Sequence, residues 1–532
     1  MRLARLPLIL SLAFSAAATA QTAVAPVGKY TDVAADLERF VIEQLREHRI
    51  PAISIALVDD QRIVWAKGFG LQRMRDTVPA SAETVHRVGS VSKLFTDIGV
   101  MQLVEKGVLD LDAPVTRYLP NFRPAIPAGA AEQWRKPITL RHLMSHRSGL
   151  LREPPVGNYF ETTEPTLAAT VSSLNGRPLI YAPEQKQKYS NAAIAVVGHV
   201  LERTQNEPFA KYLKRAVLDP MGLNNSAFEP LPELQPRIAD AVMWTVDGRV
   251  FPAPTFQLGM SPAGSMYSTV LDLGRFMSTL FNGGRAANGN QILKPESLQE
   301  MWRPQFAPAG TRTGVGLGFF IGDIQGDRIV RHGGAIYGFA TDLVAMPDRK
   351  LGVAVVATSD VANTVSERIS DRALSLMRSA PNIPARPAGN LALPGAVRAR
   401  QLEGRYTKGD WAVELHARGD HLYIDPGRNV ARADLWQTAG DTLIANDALT
   451  YGLRVVALSA PVGQSAIPDP RSPIRAIVIG RDTLARNDLR FAPAPAPASI
   501  HDLVGEYGWD HNTLYILEKE GKLNALIEWF FE

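Results

Sequence analysis

Residues 53–70 read ISIALVDDQRIVWAKGFG and contain two apolar runs, 53–58 and 63–70, on either side of the polar residues 59–61. β-Branched and aromatic residues with a polar turn between them are the pattern of a β-hairpin. Further strand-like runs follow much later in the chain, at 329–331 and the residues directly after it, at 339–345 and at 351–358. The sequence therefore predicts that strands come from both ends of one domain.

Apolar residues at helical spacing predict a first helix over 31–50, two helices in the middle (91–105 and 191–202) and a last helix around 365–376. Strands at both ends that enclose a mainly helical middle predict an α+β fold. We expect an antiparallel sheet flanked by helices, with a mainly helical second lobe, over residues 30–378.

The composition of the 532 residues is 45% hydrophobic and 21% charged, which is typical of a soluble globular protein. The formal charge is only +4, and no run of five Lys or Arg residues occurs. A binding surface for nucleic acid or for a membrane is therefore not expected. Small-molecule or short-peptide partners are predicted instead, and the sequence does not fix the oligomeric state.

Residues 1–20 have the three parts of a secretory signal: Arg2 and Arg5, an apolar run over 6–18, and Ala-Thr-Ala before Gln21. The run is shorter than the roughly 20 residues that cross a bilayer. We expect cleavage after Ala20 and a secreted or periplasmic protein that has no membrane anchor after cleavage.

Four prolines within 380–394 predict a linker over 379–399. The short strand-like runs beyond it predict an antiparallel, lipocalin-like barrel over 400–491. The motif Leu402-x-Gly404-x-Tyr406 returns as Leu503-x-Gly505-x-Tyr507, which predicts a partial second repeat over 499–532. Either these last strands complete the first barrel, or the sequence is cut short. We favour the second interpretation.

Ser90 and Lys93 form an S-x-x-K motif at the start of the predicted helix 91–105. A serine hydroxyl is a weak nucleophile until a neighbouring base takes its proton. The i, i+3 spacing places the lysine amine on the face of the serine. A helix start also offers free backbone N–H groups to a developing oxyanion. Alone, this motif is weak evidence, because a chain of this length can contain it by chance, and it then favours a capping serine with a surface lysine.

Two more motifs follow: Tyr189-Ser190-Asn191 and His332-Gly333-Gly334. The order S-x-x-K, Y-x-N, H-x-G resembles the three active-site elements of class C β-lactamases, D-alanyl-D-alanine carboxypeptidases, D-aminopeptidases and related esterases. The strings at 140–151, 219–223 and 262–269 resemble the same group. The resemblance covers residues 30–378 and implies a β-lactamase/transpeptidase-like fold.

The resemblance implies a role for each motif residue. Ser90 attacks the carbonyl, Lys93 and Tyr189 manage its proton, and Asn191 orients the substrate and Lys93. Substrate support is implied for His332 and Gly334, and an oxyanion hole for the backbone N–H groups of Ser90 and Ala335. The sequence does not decide whether Lys93 or Tyr189 is the first base.

Two residues depart from the family pattern. His332 stands where β-lactam-directed relatives usually have a lysine that meets the substrate carboxylate. Because histidine is mostly neutral at pH 7, recognition of a carboxylate should weaken, although a neutral donor could still polarise an ester or amide. Glu184 stands where relatives often have glycine, which puts the loop before Tyr189 in doubt.

His142 and His146 have i, i+4 spacing, but no third ligand with a zinc-site pattern accompanies them. The glycine-rich strings at 314–318 and 333–334 lack the context of a phosphate loop. No metal and no other cofactor is expected.

The sequence predicts a serine hydrolase that acts through an acyl-Ser90 intermediate, as an esterase or a D-aminopeptidase-like enzyme. One alternative is a β-lactamase or D,D-carboxypeptidase, and another is a penicillin-binding sensor with little turnover. An adhesion module built from the terminal strands gains no support from the aromatic content of 8%.

Overall fold

The computed structural model describes residues 24–244, 250–324, 326–379, 391–425, 433–445, 453–459, 474–487, 497–507, 514–519 and 522–527. The predicted leader, residues 1–20, lies outside these ranges, and so do residues 380–390 of the predicted linker. Within them, no helix has the length and apolar character that a membrane crossing requires.

The helices and strands follow one another in the order that periodicity predicts. The helices are α1 (Tyr30–Glu47), α2 (Ser92–Glu105), α3 (Leu140–Met144), α4 (Leu167–Ser172), α5 (Asn191–Gln205), α6 (Phe209–Leu213), α7 (Ser261–Gly264), α8 (Val270–Phe281), α9 (Pro295–Met301), α10 (Asn363–Ser379) and α11 (Ala396–Leu402). Short 3-10 turns include Gly89–Val91, Val115–Arg117, Glu132–Arg135, Gln235–Arg237 and Ala498–Leu503, and Lys214–Leu218 is a π turn.

The strands up to the end of the predicted hydrolase domain are β1 (Ala52–Asp59), β2 (Arg62–Arg73), β3 (Val78–Pro79), β4 (His86–Arg87), β5 (Val242–Trp244), β6 (Val250–Pro252), β7 (Tyr267–Ser268), β8 (Gly314–Val315), β9 (Phe320–Ile324), β10 (Asp327–Ile336), β11 (Phe339–Met346) and β12 (Leu351–Ala357). Eight of them form one antiparallel sheet in the order β3-β2-β1-β12-β11-β10-β9-β8. Strands β1 and β12 are neighbours, with Ile55 opposite Val355. The prediction that strands from both ends share one sheet is confirmed.

Helices cover this sheet on both faces, which explains why β1 is apolar at nearly every position. Ile55 and Leu57 pack in a core with α1 and α10, whereas Ala56 and Val58 pack in the larger core of the helical lobe. A strand that is buried on both faces carries a continuous apolar run, because neither face selects polar residues.

Helix α2 is apolar on almost every side and is buried between the sheet and the helical lobe, where it packs against α5 and α7. The 3-10 turn Gly89–Val91 precedes it and packs against β10. The start of α2 therefore lies where the sheet meets the helical lobe. The predicted helix 91–105 begins at Ser92, and Ser90 belongs to the preceding turn.

The C-terminal region contains the closed barrel that the sequence predicts. Its strands, in sequential order, are β13 (Gly404–Lys408), β14 (Trp411–Arg418), β15 (His421–Asp425), β16 (Ala433–Ala439), β17 (Thr442–Ala445), β18 (Arg454–Ser459), β19 (Ile474–Ile479) and β20 (Asp482–Arg486). Strand β20 pairs back with β13, with Tyr406 opposite Arg486. The α+β fold with an additional β-barrel is confirmed.

The last strands are β21 (Gly505–Tyr507), β22 (Leu514–Lys519) and β23 (Lys522–Ile527). Among the described residues they pair only with one another, and the barrel closes without them. The interpretation in which they complete the first barrel is therefore wrong. Each copy of the repeat contains the same internal hydrogen bond. Tyr406 Oη donates to Leu402 O at 2.7 Å in the first copy, and Tyr507 Oη donates to Leu503 O at 2.8 Å in the second.

Candidate active site

Ser90 lies in the turn before α2, and this turn packs against β10. The pairing of β10 with β9 ends at Arg331, so the residues of β10 after Arg331 have no β9 partner. Gly89 has a φ of 53°, and a Cβ on it would meet Ala335 N at 2.6 Å. Glycine permits both this left-handed backbone and the close approach of the turn to β10. Ser90 keeps 9% of its surface exposed, so its hydroxyl lies at the rim of the buried core.

Lys93 follows Ser90 by one helical turn and is fully buried. Its Nζ donates to Ser90 Oγ at 2.9 Å and to Ala263 O at 2.6 Å. Burial lowers the pKa of Lys93 from 10.5 to about 7; the charge of Glu153 opposes this shift, and that of Arg152 adds to it. An amine next to Ser90 can therefore lose its proton near neutral pH.

The Tyr189 side chain contacts both Ser90 and Lys93. The side chains of Ser90 and Tyr189 are hydrogen-bonded to each other, and Lys93 Nζ lies 5.0 Å from the centre of the tyrosine ring. The His146 ring lies 4.3 Å away, centre to centre, and the Phe320 ring 6.4 Å away. Burial raises the pKa of Tyr189, although the hydrogen bond with Ser90 lowers it, so the phenol keeps its proton at neutral pH.

Backbone hydrogen bonds between residues 146–152 and residues 180–192 fix the segment that carries Tyr189. The N–H of Ile180 donates to Gly149 O at 2.8 Å, and the N–H of Asn191 donates to Arg152 O at 2.8 Å. Because these bonds lie on both sides of Tyr189, the loop after α3 positions the tyrosine at the start of α5.

Glu184 lies in the loop before Tyr189, at the position where the family pattern often has glycine. Its φ is 68°, in the left-handed region that glycine adopts without strain. The strained backbone is held by contacts: the N–H of Glu184 donates to Arg147 O at 2.8 Å, and its carboxylate binds His142 Nε2 at 2.9 Å and pairs with Lys136. A non-glycine residue therefore fits here, and the loop still brings Tyr189 to Ser90.

Asn191 does not reach Lys93 in the way that the family resemblance implies. Its Nδ2 donates to Glu153 Oε1 at 2.7 Å, and Lys93 Nζ donates only to Ser90 and Ala263 among the described residues. The amide acts on Lys93 through Glu153, whose charge raises the pKa of Lys93.

His332 is 2% exposed, and its ring lies 6.3 Å from the ring of Tyr189. Its Nδ1 lies 2.5 Å from Gly333 O. A carbonyl oxygen can only accept, so Nδ1 carries the proton and Nε2 of the neutral ring is an acceptor. Burial, with a smaller effect of the Lys93 charge, lowers the pKa of His332 to about 3. The expectation of a neutral donor is therefore wrong for Nε2.

Gly334 and Ala335 hold β10 against the serine turn. A Cβ on Gly334 would meet Val88 O at 2.0 Å, a separation that no side chain could tolerate. Gly334 O accepts from Asn363 Nδ2 at 2.8 Å, which ties this part of β10 to α10. The absence of a side chain at residue 334 is thus what allows the strand to approach Ser90.

Sequence reasoning missed two buried acids near Lys93. Asp97 is fully buried, and neither carboxylate oxygen has a hydrogen-bond partner among the described residues. Burial raises the pKa of Asp97 well above its usual range, and the Lys93 charge lowers it. The i, i+4 spacing from Lys93 could have revealed Asp97, whereas Glu153 lies in a loop without a recognisable motif.

No group of three or more His, Asp or Glu side chains suited to a metal ion occurs among the residues that the structure describes. His142 instead bonds with Thr139 at the start of α3 and with Glu184. His146 accepts from the N–H of Ser190 through Nδ1.

The family described as Beta-lactamase matches residues 37–376. Putative beta-lactamase-like 1 from Homo sapiens is 28% identical over 318 residues, which cover 58% of this chain and 61% of that protein. The chain therefore spans about three fifths of the length of this relative. Esterase EstB from Burkholderia gladioli is 28% identical over 368 residues, which cover 62% of this chain and 91% of the esterase.

Among solved structures, the octameric penicillin-binding protein homologue from Pyrococcus abyssi superposes with a TM-score of 0.59 and 24% sequence identity. The superposition covers 85% of this chain and 100% of the other. This likeness shows the shared fold.

Proposed function

The chain belongs to the beta-lactamase family, and from this we propose that it is a serine hydrolase that cleaves ester or amide bonds through an acyl intermediate on Ser90. The observation that carries the proposal is the 2.9 Å contact between the buried Lys93 amine and Ser90 Oγ. A serine needs a base at this reach to become a nucleophile.

Lys93 is the group that accepts the Ser90 proton in this mechanism. Burial brings the pKa of Lys93 to about 7, so its free base is populated at neutral pH, while burial moves the pKa of Tyr189 upward. Once Lys93 has lost a proton, the Ser90 hydroxyl can rotate and donate to the amine. Ser90 Oγ then bonds to the substrate carbonyl carbon. When the bond from that carbon to the leaving group breaks, Tyr189 gives its phenol proton to the leaving group and regains a proton from the protonated Lys93 amine.

The oxyanion that forms on the carbonyl carbon accepts from the backbone N–H groups of Ser90 and Ala335. The packing of Gly89 onto Ala335 supports this assignment, because it brings the strand and the serine turn within contact of each other. Preorganised N–H donors of this kind contribute about 3–4 kcal/mol each to transition-state stabilisation. In the second half of the reaction, water gives one proton to the Lys93 amine and bonds to the acyl carbon. The bond from that carbon to Ser90 Oγ then breaks, the proton passes from Lys93 to Ser90 Oγ, and the acid is released.

Neutral esters and amides are the proposed substrates, rather than substrates that carry a carboxylate next to the scissile bond. His332 supports this choice, because its buried ring is neutral and supplies no positive charge to a substrate carboxylate. A charge-assisted hydrogen bond is worth about 1.5–3 kcal/mol, so its loss weakens β-lactam turnover by roughly 10- to 150-fold. The relative Esterase EstB is consistent with ester substrates.

Intact-mass measurement after exposure to a fluorophosphonate tests the proposal. We expect one adduct on wild-type protein, none on Ser90→Ala, and an unchanged adduct on Ser379→Ala, which removes a half-buried serine at the end of α10. Turnover of p-nitrophenyl esters, D-amino-acid amides and nitrocefin then ranks the substrate classes. Acylation of Ser90→Ala, or an acyl adduct that persists with every substrate, would refute the proposed hydrolase; the second result identifies a sensor.

Export to the periplasm or outside the cell is part of the proposal, on the strength of Arg2, Arg5 and the apolar run that follows them. Mass measurement of the protein recovered from the extracellular and periplasmic fractions tests it. An N-terminus at Gln21 is expected, and protein that keeps Met1 in the cytoplasm would contradict export.

A further inference from the structure

His146 contacts Tyr189 and both of its chain neighbours. Its ring lies 4.3 Å from the tyrosine ring. The N–H of Ser190 donates to His146 Nδ1 at 3.3 Å, and the N–H of Lys188 donates to His146 O at 2.8 Å. One residue thus holds the tyrosine ring and the backbone on either side of it.

The backbone of His146 is strained in a way that serves these contacts. Its φ is 59°, a left-handed conformation that costs a residue other than glycine about 1 kcal/mol. Such strain persists where the surroundings fix the residue, and it is concentrated at functional sites. The residue follows the C-cap Ser145 of α3, and its conformation turns both the ring and the carbonyl toward residues 188–190.

The ring of His146 is fully buried in a cationic environment. Burial, together with the charges of Lys93 and Arg152, lowers the pKa of His146 well below its usual range. A neutral ring is also what the hydrogen bond requires, because Nδ1 accepts from a backbone N–H and cannot carry a proton of its own. The contact with Ser190 is therefore intact throughout the neutral pH range.

We propose that His146 is a positioning residue that holds the Tyr189 phenol in hydrogen-bonding reach of Ser90. The inference rests on the proposed function, since Tyr189 has a catalytic role only if Ser90 is acylated. His146 does not touch Ser90. It acts through the tyrosine: among the described ring contacts of Tyr189, the imidazole is the nearest, at 4.3 Å between centres, against 6.3 Å for His332 and 6.4 Å for Phe320. Removal of the imidazole therefore takes away the closest ring that packs on the phenol.

Two variants separate the contribution of the His146 ring from that of its hydrogen-bond acceptor. Glycine and asparagine both tolerate a left-handed φ, so neither substitution adds backbone strain. His146→Gly removes the ring and the acceptor, whereas His146→Asn keeps an acceptor for the N–H of Ser190. We expect His146→Gly to lower kcat about 100-fold with KM within about threefold, which is typical of a misplaced catalytic group. His146→Asn should retain kcat within about tenfold of wild type.

A double-mutant cycle with Tyr189→Phe provides a readout that a purely structural role would not change. If His146 acts through the phenol, its substitution should have little further effect on kcat once the phenol hydroxyl has been removed. The double variant should then be no slower than Tyr189→Phe alone, within about threefold. Losses that multiply would overturn the inference, and so would a His146→Gly enzyme with wild-type kcat.

His48→Ala is the stability control. His48 follows α1 as its C-cap, and α1 packs on the face of the sheet opposite to the helical lobe, so its loss should lower Tm while kcat per folded molecule stays unchanged. An equal kcat loss in His48→Ala and His146→Gly would also overturn the inference. Failure of the proposed function has a different signature, because wild-type protein itself would then form no Ser90 adduct with a fluorophosphonate.

Discussion

The rate at which Ser90 is acylated should depend on pH through Lys93. Burial lowers the pKa of Lys93 from 10.5 to about 7. At pH 7 an unperturbed lysine has only about one molecule in three thousand as free amine, whereas a group with this lowered value has about half. Burial therefore raises the population of the base by roughly 10³-fold at neutral pH. Below pH 7 the rate should fall about tenfold for each pH unit.

Two substitutions sharpen this prediction. Lys93→Arg places a permanent cation at the site and should lower the acylation rate by about 10³-fold or more. Glu153→Gln keeps an acceptor for Asn191 but removes the negative charge that raises the pKa of Lys93, so the midpoint of the pH profile should move to lower pH.

The assay is stopped-flow measurement of the acylation burst with a p-nitrophenyl ester from pH 5 to 9, normalised to the concentration of folded protein. A rate that is flat between pH 5 and 8 would refute Lys93 as the titrating base. A Lys93→Arg variant within tenfold of wild type would refute its role altogether. A midpoint that rises in Glu153→Gln would contradict the electrostatic explanation of the shift.

Three further predictions concern packing and stability. Gly334→Ala should lower the acylation rate by at least about 100-fold, because its Cβ would meet the backbone oxygen of Val88, which precedes the serine turn, at 2.0 Å. Asp97→Asn should raise Tm by about 2–4 °C at pH 8 and by less toward pH 4. Since burial raises the pKa of Asp97, the folded state binds its proton more tightly than the unfolded chain, and stability falls as pH rises between the two pKa values. Tyr406→Phe should cost about 1 kcal/mol in denaturant unfolding of the barrel, whereas Tyr507→Phe, whose ring is 41% exposed, should cost less; equal losses would contradict the role of burial.

Much of the fold could be predicted from local patterns. Strands β1 and β12 carry apolar residues at nearly every position, because each is buried on both faces. Helix α2 begins one residue later than predicted, because the chain first forms the 3-10 turn that holds Ser90. That turn depends on the close approach of β10, which no local pattern records.

For the candidate site, the sequence predicts the main residues that lie together but not every hydrogen-bond partner of those residues. The spacing of Ser90 and Lys93 predicts their contact, since both lie on one turn of chain. The family order of motifs predicts that Tyr189 and His332 lie nearby. Sequence reasoning missed Glu153, and it placed Asn191 on Lys93 instead, because a loop residue far from the motif carries no signal of its own.

The amino-acid sequence by itself determined the elements of the fold and the pairing of Ser90 with Lys93, since spacing and periodicity are properties of the chain. Tyr189 entered through the resemblance of its motif to a family pattern. Tertiary structure alone decided the proton chemistry. The lowered pKa of Lys93, the acceptor nitrogen of His332 and the left-handed backbone of Glu184 all depend on burial and on partners that are distant in sequence. Desolvation and hydrogen bonding are properties of the surroundings, and the surroundings exist only once the chain has folded.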